Sequence, residues 1–237
     1  MKQAPWLLAP ERLTGEGVTL RLDDGESRHA TGALRLTSGA EVVLTDGEGA
    51  RARGRLTLAR KGSAEVFVES VESLPRPVGG LTLAVGVLAG SAMDPVVQKA
   101  VELGVHRLVP VCCQRSQLGI RRAASRLDHW GRLSRQALKQ CHRTWAMTVS
   151  APLTLADLVS EVEPGKGVLA HPSGRSAGEL SPPPDSVLLV GPEGGLAPDE
   201  EALLDGDGWR RLRLGPHVLR ASTAAIAGAA VVLHQTG

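Results

Sequence analysis

The chain has 237 residues, 42% of them hydrophobic, which allows one large domain or two small ones with real cores. Aromatic residues make up 2%, with no Tyr and a single Phe, so base-stacking platforms built on surface aromatics are excluded as the main grip on a nucleic acid. A net charge of +2 is too mild to demand a polyanionic partner and leaves the question to how the charges are distributed.

Residues 1 to about 73 read as mostly β. Val18–Leu22, Glu41–Asp46, Arg53–Arg60 and Ser63–Val71 are short, β-branched runs bounded by DDGE, DGEG and KGS turns. Between the first two, SRHATGALRLTSG predicts one short helix, capped by Ser27 and stopped at Gly39. A small barrel fits this region. SLPRPVGG, residues 74–80 with Ser73 before them, is the linker, because its two prolines remove amide donors and fix the backbone.

From residue 81 to 237 strands alternate with helices. LTLAVGVL, HRLVPV, GVLA, SVLLV and WRRLRLG read as strands. MDPVVQKAVELGV is a helix ending at Gly104, residues 124 to 144 form a long basic helix, and TLADLVSEV is a helix capped by Thr154. PDEEALL and STAAIAGAAVVLH complete the set. Such alternation predicts an α/β domain with a mainly parallel sheet covered on both faces. The last helix is small and apolar on all sides, which predicts close packing in a core or across a subunit interface.

Basic residues cluster in two runs. One holds Arg51, Arg53, Arg55, Arg60 and Lys61; the other holds Arg115, Arg121, Arg122, Arg126, Arg132, Arg135, Lys139 and Arg143 against Asp128 alone. Each run suits a phosphate-binding surface and equally a solvated face. Three cysteines, Cys112, Cys113 and Cys141, show no metal-ligand spacing, which predicts a reducing compartment and no metal site. The opening MKQAPWLLAP is too short an apolar run for a signal peptide, and no stretch reaches membrane-spanning length, so a cytoplasmic protein without membrane contact is expected. Trp6, Trp130, Trp145 and Trp209 are expected as core or interface anchors, and Cys112 and Cys113 as buried hydrophobes.

Two glycine-rich loops carry the chemistry. SVLLV runs directly into GPEGG, Gly191–Gly195, placing bare backbone at the carboxyl end of a buried strand, where open α/β sheets bind ligands. The next helix opens with Pro198 and fills its first turn with Asp199, Glu200 and Glu201. Those carboxylates already compensate the positive helix end, which disfavours a pyrophosphate and leaves room for a ligand with an adenine ring and a sulfonium cation. By itself GPEGG is equally a plain turn. LRLGPHVLRAST, Leu212–Thr223, repeats the design, and Arg220 falls between two apolar stretches, where a buried guanidinium requires a partner.

GPEGG followed by LGPHVLRASTA resembles the C-terminal signature of the RsmE-type 16S rRNA (uracil-N3)-methyltransferases of the SPOUT superfamily. MDPVVQKAVELGVHRLVPVCCQRS, RQALKQCHR and RHATGALRLTSGAEVVLTDGEG resemble three further blocks of that family, in the same order and over nearly the whole chain. The resemblance implies a PUA-like barrel followed by a trefoil-knotted α/β domain, a homodimer, S-adenosylmethionine as methyl donor, and 16S rRNA of the assembled small ribosomal subunit as substrate. It implies a donor site of three loops: Ala170 and His171; Val190, Gly191, Pro192, Gly194 and Gly195; and Leu214, Gly215, Val218, Leu219, Ser222 and Thr223. RNA contacts are expected from Arg28, His29, Arg35, Arg115, Arg121, Arg122, Arg126, Gln140 and Arg143. The family's usual Thr-Glu is Ala221-Ser222 here, and its usual Arg before Ile-Leu-Arg is His217.

Attack of uracil N3 on a methyl group requires loss of the N3 proton and support for the developing anion. Arg220 is the candidate for that support. Glu193 could hydrogen-bond ligand or loop, and His217 is the group in the third loop that titrates near neutral pH. Two other readings stand beside this one: the same chemistry on another RNA such as tRNA, and a non-catalytic RNA-binding relative.

Overall fold

The structure, a computed structural model, describes residues 4–58 and 63–236. Arg60 and Lys61 of the first basic run lie outside the described residues. The chain divides into two units, Met1–Pro77 with Arg135–Ala146, and Val78–Ser134 with Met147–Gly237.

The first unit is built on a five-stranded sheet. Its strands are β1 (Trp6–Leu8), β2 (Thr19–Arg21), β3 (Glu41–Thr45), β4 (Ala50–Leu58) and β5 (Ala64–Ser73), paired in the order β1-β3-β4-β5-β2. β1 runs parallel to β3, and the other pairings are antiparallel. Alternation on β4 sends Ala50, Ala52, Gly54 and Leu56 one way and the arginines the other, and Leu7, Leu44, Leu56, Val66 and Val68 fill the core. β1 was not legible from its three residues. The helix that follows β2 is α1 (Asp24–Arg28), continued by a π turn over His29–Ala33. Its cap is Asp23, not Ser27: the Asp23 carboxylate accepts the Glu26 N–H at 2.7 Å, while Ser27 lies buried inside the helix. Asp23 stands one turn earlier and wins because its oxygen reaches the open amides first.

Two of the three arginines of β4 are engaged by neighbours. Arg51 pairs with Glu72 at 2.7 Å, and Arg55 with Glu69 at 2.8 Å and Glu41 at 3.3 Å. The cross-strand carboxylates neutralise much of the first basic run.

The second unit is an α/β sheet in the order β12-β10-β11-β6-β7-β8, with β9 also on β7. The strands are β6 (Thr82–Gly86), β7 (Arg107–Cys112), β8 (Thr148–Val149), β9 (Leu153–Thr154), β10 (Gly167–Ser176), β11 (Val187–Val190) and β12 (Arg210–Arg213), and every pairing is parallel. β6 and β11 are buried almost throughout, as a sheet covered on both faces requires. The helices are α2 (Met93–Leu103), α3 (Ile120–Ala124), α4 (Leu127–Cys141), α5 (Leu155–Glu161), α6 (Pro198–Gly206) and α7 (Ala221–Thr236).

Gly104 ends α2 in the left-handed conformation, φ 99°, which a side chain would resist. Thr154 caps α5 in a capping box with Asp157. The expected long basic helix is α4, three residues shorter at each end than the span of 124 to 144, with the short α3 before it, and the division between units falls within α4. α7 is not buried all round in the single chain. Ala221, Ala225, Gly228, Ala229 and Val232 form the buried stripe against α2, β6 and β11, and the opposite side is half-exposed. At Gly228 a Cβ would stand 2.9 Å from the Leu188 side chain, so the small residues set how closely α7 approaches β11.

Candidate functional site

Adjacency of β10, β11 and β12 brings the loops that follow β11 and β12 up to the irregular middle of β10, where Ala170 and His171, expected in a loop, lie within the strand at a register shift between Ala170 and Arg175. They enclose a cavity of about 690 Å³, within the range of small-molecule sites. Its apolar lining comes from Leu169, Val190, Leu196, Leu212, Leu214 and Leu219, with Val218 at 85% exposure on the lip.

Most of the residues expected in the three loops line this one cavity: Ala170, His171, Val190, Gly191, Pro192, Gly195, Leu214, Gly215, Val218, Leu219 and Ser222. Gly194 and Thr223 do not. Gly194 turns to Arg115, whose Nη1 donates to the Gly194 carbonyl at 3.2 Å; a Cβ there would meet the Arg115 Cβ at 3.1 Å. Gly195 keeps φ +70° and faces the cavity, so a bare α-carbon lets a ligand approach the backbone. Gly86, at the end of β6, presses directly on the loop: a Cβ would stand 2.4 Å from the Pro192 nitrogen.

The polar groups are held in defined orientations. Glu193 Oε1 accepts the Ala89 N–H at 3.2 Å. His171 Nδ1 accepts the Ser173 N–H at 3.2 Å and an Arg211 Nη1 hydrogen at 3.2 Å, which leaves the ring proton on Nε2, 3.7 Å from Glu201 Oε2. Arg211 in turn holds Glu201 at 3.1 Å and Asp205 at 2.8 Å. Beneath the loop, Glu200 is 7% exposed and accepts the N–H groups of Ala197 and Gln114, each at 2.8 Å. The Gln114 side chain donates to Asp199 at 2.6 Å and thereby holds the Asp199 carboxyl below its ordinary range. Burial, reinforced by the Glu200 charge, pushes the Cys113 thiol up to about 12. Cys113 is buried as expected; Cys112 is half-buried.

Arg220, Glu193 and His217 all line the cavity. The expectation of a buried, partnered Arg220 is corrected: its side chain is exposed at the mouth, because the segment between the Gly215-Pro216 turn and α7 lies on the surface. The sequence reading missed Glu201, Arg213 and Ala92 as lining residues; the alternation of β12, which sends Arg211 and Arg213 to one side, was the available signal.

The residues expected to touch RNA fall in both units. Arg115, Arg121, Arg122 and Arg126 are exposed in the α/β unit. Arg28, His29, Arg35, Gln140 and Arg143 belong to the sheet unit; Arg28, Arg35 and Gln140 are exposed, His29 and Arg143 half-buried, and burial lowers the Arg143 pKa. Arg35 adopts φ 52°, rare for a side-chain-bearing residue. Trp6, Trp130 and Trp209 are buried. Trp145 is half-buried; its Nε1 donates to the Pro75 carbonyl at 3.0 Å, and Arg76 lies over its ring. Among the described residues no helix is long and apolar enough to cross a membrane, and no cluster of three His, Cys, Asp or Glu could hold a metal ion.

Residues 75–233 match the family described as RNA methyltransferase domain, and residues 22–69 match the RNA methyltransferase PUA domain. The class is therefore that of RNA methyltransferases, an α/β methyltransferase fold preceded by a PUA-like domain. The ribosomal RNA small subunit methyltransferase E of Synechocystis is 31% identical over 92% of this chain and 73% of its own length. That of Bacillus subtilis is 27% identical over 93% of this chain and 92% of its own. The structure is similar to the ribosomal RNA small subunit methyltransferase E of Neisseria gonorrhoeae bound to S-adenosyl methionine, with TM-score 0.86, 28% identity, and 99% and 98% of the two chains covered. A Legionella pneumophila protein in complex with the cofactor SAM gives TM-score 0.89 and 28% identity, over 98% of this chain and 97% of that one. The chain belongs to the ribosomal RNA small subunit methyltransferase E family.

Proposed function

We propose that this protein transfers a methyl group from S-adenosylmethionine to N3 of a uridine in 16S rRNA of the assembled small ribosomal subunit. The observation that carries the reading is the convergence of the loops after β11 and β12 and the irregular middle of β10 on one glycine-edged cavity. Relatives with the same architecture are named as small-subunit rRNA methyltransferases, and two similar structures hold the donor.

The cavity fits that donor. Leucine and valine side chains with bare Gly195 suit an adenine ring, and the carboxylates of Glu193 and Glu201 suit a cationic sulfonium and ammonium group. The loops from Ala170 to His171, Val190 to Gly195 and Leu214 to Ser222 would hold it. When bound, the donor would supply an electrophilic methyl group on a positively charged sulfonium sulfur, the N3–methyl bond forming as the sulfur–methyl bond breaks and neutral S-adenosylhomocysteine leaves. Arg220, free at the mouth, stabilises the negative charge that develops on the uracil as N3 loses its proton. His217, which also lines the cavity, is the candidate acceptor of that proton. Glu193 stays hydrogen-bonded to Ala89 and fixes the loop that orients the donor.

The reading also includes a trefoil knot of the SPOUT kind, a homodimer using the half-exposed side of α7, and a cytoplasmic location, where the ribosomal substrate is found. Calorimetry with S-adenosylmethionine, followed by mass spectrometry of nucleosides from small subunits incubated with enzyme and donor, tests the reading. Donor binding with appearance of 3-methyluridine is expected. Binding without methylation would reduce the protein to a non-catalytic relative, and a methylated tRNA would redirect the substrate.

A further inference from the structure

An unpaired surface arginine means little alone; its setting among arginines that are engaged is informative. On β12, Arg210 donates to the carbonyls of Gly165 at 2.9 Å and Ser181 at 3.3 Å. Arg211 makes a double contact with Asp205 and reaches Glu201. Arg213, two residues on, has no side-chain hydrogen bond or ion pair among the described residues, although it lines the cavity. The Glu179 carboxylate, which feels its charge, accepts the Ser176 N–H at 2.8 Å. Arg220 is equally free. Arg115 donates from Nη1 to the Gly194 carbonyl, lines the same cavity, and its charge reaches Asp199.

These three guanidiniums come from separate segments: the β7–α3 connection, the end of β12 and the approach to α7. Two carboxylates share the cavity: Glu193, which accepts the Ala89 N–H, and Glu201, which pairs with Arg211. The three guanidiniums outnumber them in the lining, while the interior is apolar. A donor with a sulfonium cation has no use for three cations at the rim. A polyanion delivering a neutral base does.

We propose that Arg115, Arg213 and Arg220 form a cationic collar that grips phosphates of the RNA strand flanking the target nucleotide, so that its base alone enters the cavity. This rests on the methyl-transfer reading above. It assigns Arg213 a role in substrate binding and moves Arg115 from the exposed row of Arg121, Arg122 and Arg126 to the catalytic opening. Cations spaced around an opening suit an unpaired, splayed strand, whose phosphates diverge about an extruded base.

The test uses full-length Arg213→Ala, Arg213→Lys and Arg115→Ala, with Lys99→Ala as a control for charge alone, since Lys99 pairs with Glu102 on α2 outside the cavity lining. Binding to purified small subunits is measured across a salt series, donor binding by calorimetry, and KM for subunits with kcat by steady-state assay. Arg213→Ala should reduce the log–log salt slope by about 0.7–0.9, the loss of one phosphate contact. It should raise KM for subunits several-fold with kcat nearly kept, and leave donor affinity unchanged. Arg213→Lys should restore the slope. Arg213→Ala with the wild-type slope and KM overturns the collar, as does loss of donor affinity, which would place Arg213 in the donor site. Wild-type protein that fails to bind donor or methylate any RNA defeats the functional reading instead, and the salt slope still judges the collar.

Discussion

Glu200 Oε1 accepts the Gln114 backbone N–H at 2.8 Å, so a buried carboxylate at the start of α6 ties the segment carrying Arg115 to the GPEGG loop. Its other oxygen caps α6 at Ala197. Removing it leaves the buried Ala197 N–H without its acceptor, at a cost of about 1–3 kcal/mol, and releases the part-buried Gln114 N–H, where water offsets part of the loss. Glu200→Ala should lower stability by roughly 2–4 kcal/mol by denaturant titration and weaken donor affinity by calorimetry. Glu200→Gln, which keeps one acceptor, should lose less. Equal stability of Glu200→Ala and wild type would show that the tie is not holding the loop.

Gly86 and Gly194 make opposite demands on the same loop. A side chain at position 86 runs into Pro192 backbone at 2.4 Å and must displace the cavity floor. One at position 194 meets the Arg115 Cβ at 3.1 Å and the Arg115 carbonyl oxygen at 3.3 Å instead, so the segment that carries Arg115 must give by a small shift. Gly86→Ala should abolish donor binding, and Gly194→Ala should mainly disturb RNA engagement. Calorimetry with donor and with small subunits separates the two; the reverse pattern would mean that Gly194 and not Gly86 borders the donor.

Much of the fold was legible because its signals are local. Gly104 ends a helix through its own φ, Thr154 caps one through its own hydroxyl, and the run Val187–Val190 is apolar throughout because both faces are covered. The misses depend on distant partners. Trp6–Leu8 is a strand by virtue of pairing with Val43–Thr45, which three residues cannot announce. Asp23 and Ser27 are both good caps, and the chain path decides between them. Arg220 sits between apolar stretches in sequence, yet lies at the surface because the turn at Gly215 and Pro216 carries it there. The motif drew attention to GPEGG and LGPHVLR, while Glu201 and Arg213 join the cavity only through the order β12-β10-β11.

Cys113 connects the site to alkaline pH. Its thiol is raised from 9.0 to about 12 by burial first and by the Glu200 charge second. The folded state therefore holds its proton more tightly than the unfolded chain. The stabilisation is complete below the unfolded pKa and is lost as pH rises from about 9 towards about 12. Stability should fall across that window and fall less in Cys113→Ala, measured by thermal melts against pH. Native Cys113 should also resist alkylation at pH 8, and rapid labelling there would contradict its burial.

Lys139 and Glu26 form an ion pair at 2.6 Å, with only 12% and 8% of the side chains exposed, and Glu26 also accepts the Leu8 N–H at 3.0 Å. Breaking one partner strands a buried charge at a cost of about 3–5 kcal/mol. Lys139→Met or Glu26→Gln should each destabilise the sheet unit by that order in denaturant titration. The double variant should recover part of the loss, and strict additivity of the two would show that they do not act as a pair.

Arg220 separates binding from chemistry. Its guanidinium meets no carboxylate among the described residues, so its removal breaks no internal contact and should leave stability unchanged within about 0.5 kcal/mol. Donor affinity should also hold, because the cavity floor is backbone and apolar side chain. On the proposed reaction the developing uracil anion would lose a supporting cation, and removal of such a group costs about 10²–10³ in kcat. As a member of the collar it should lower the salt slope of subunit binding as well, by about 0.7–0.9. Arg220→Lys should restore the slope more fully than kcat, since the ammonium replaces the charge at a phosphate but not the planar fork facing the base. Single-turnover rates with donor bound, alongside the salt series, read the two effects separately. Full turnover in Arg220→Ala would remove Arg220 from the chemical step; a wild-type salt slope would remove it from the collar.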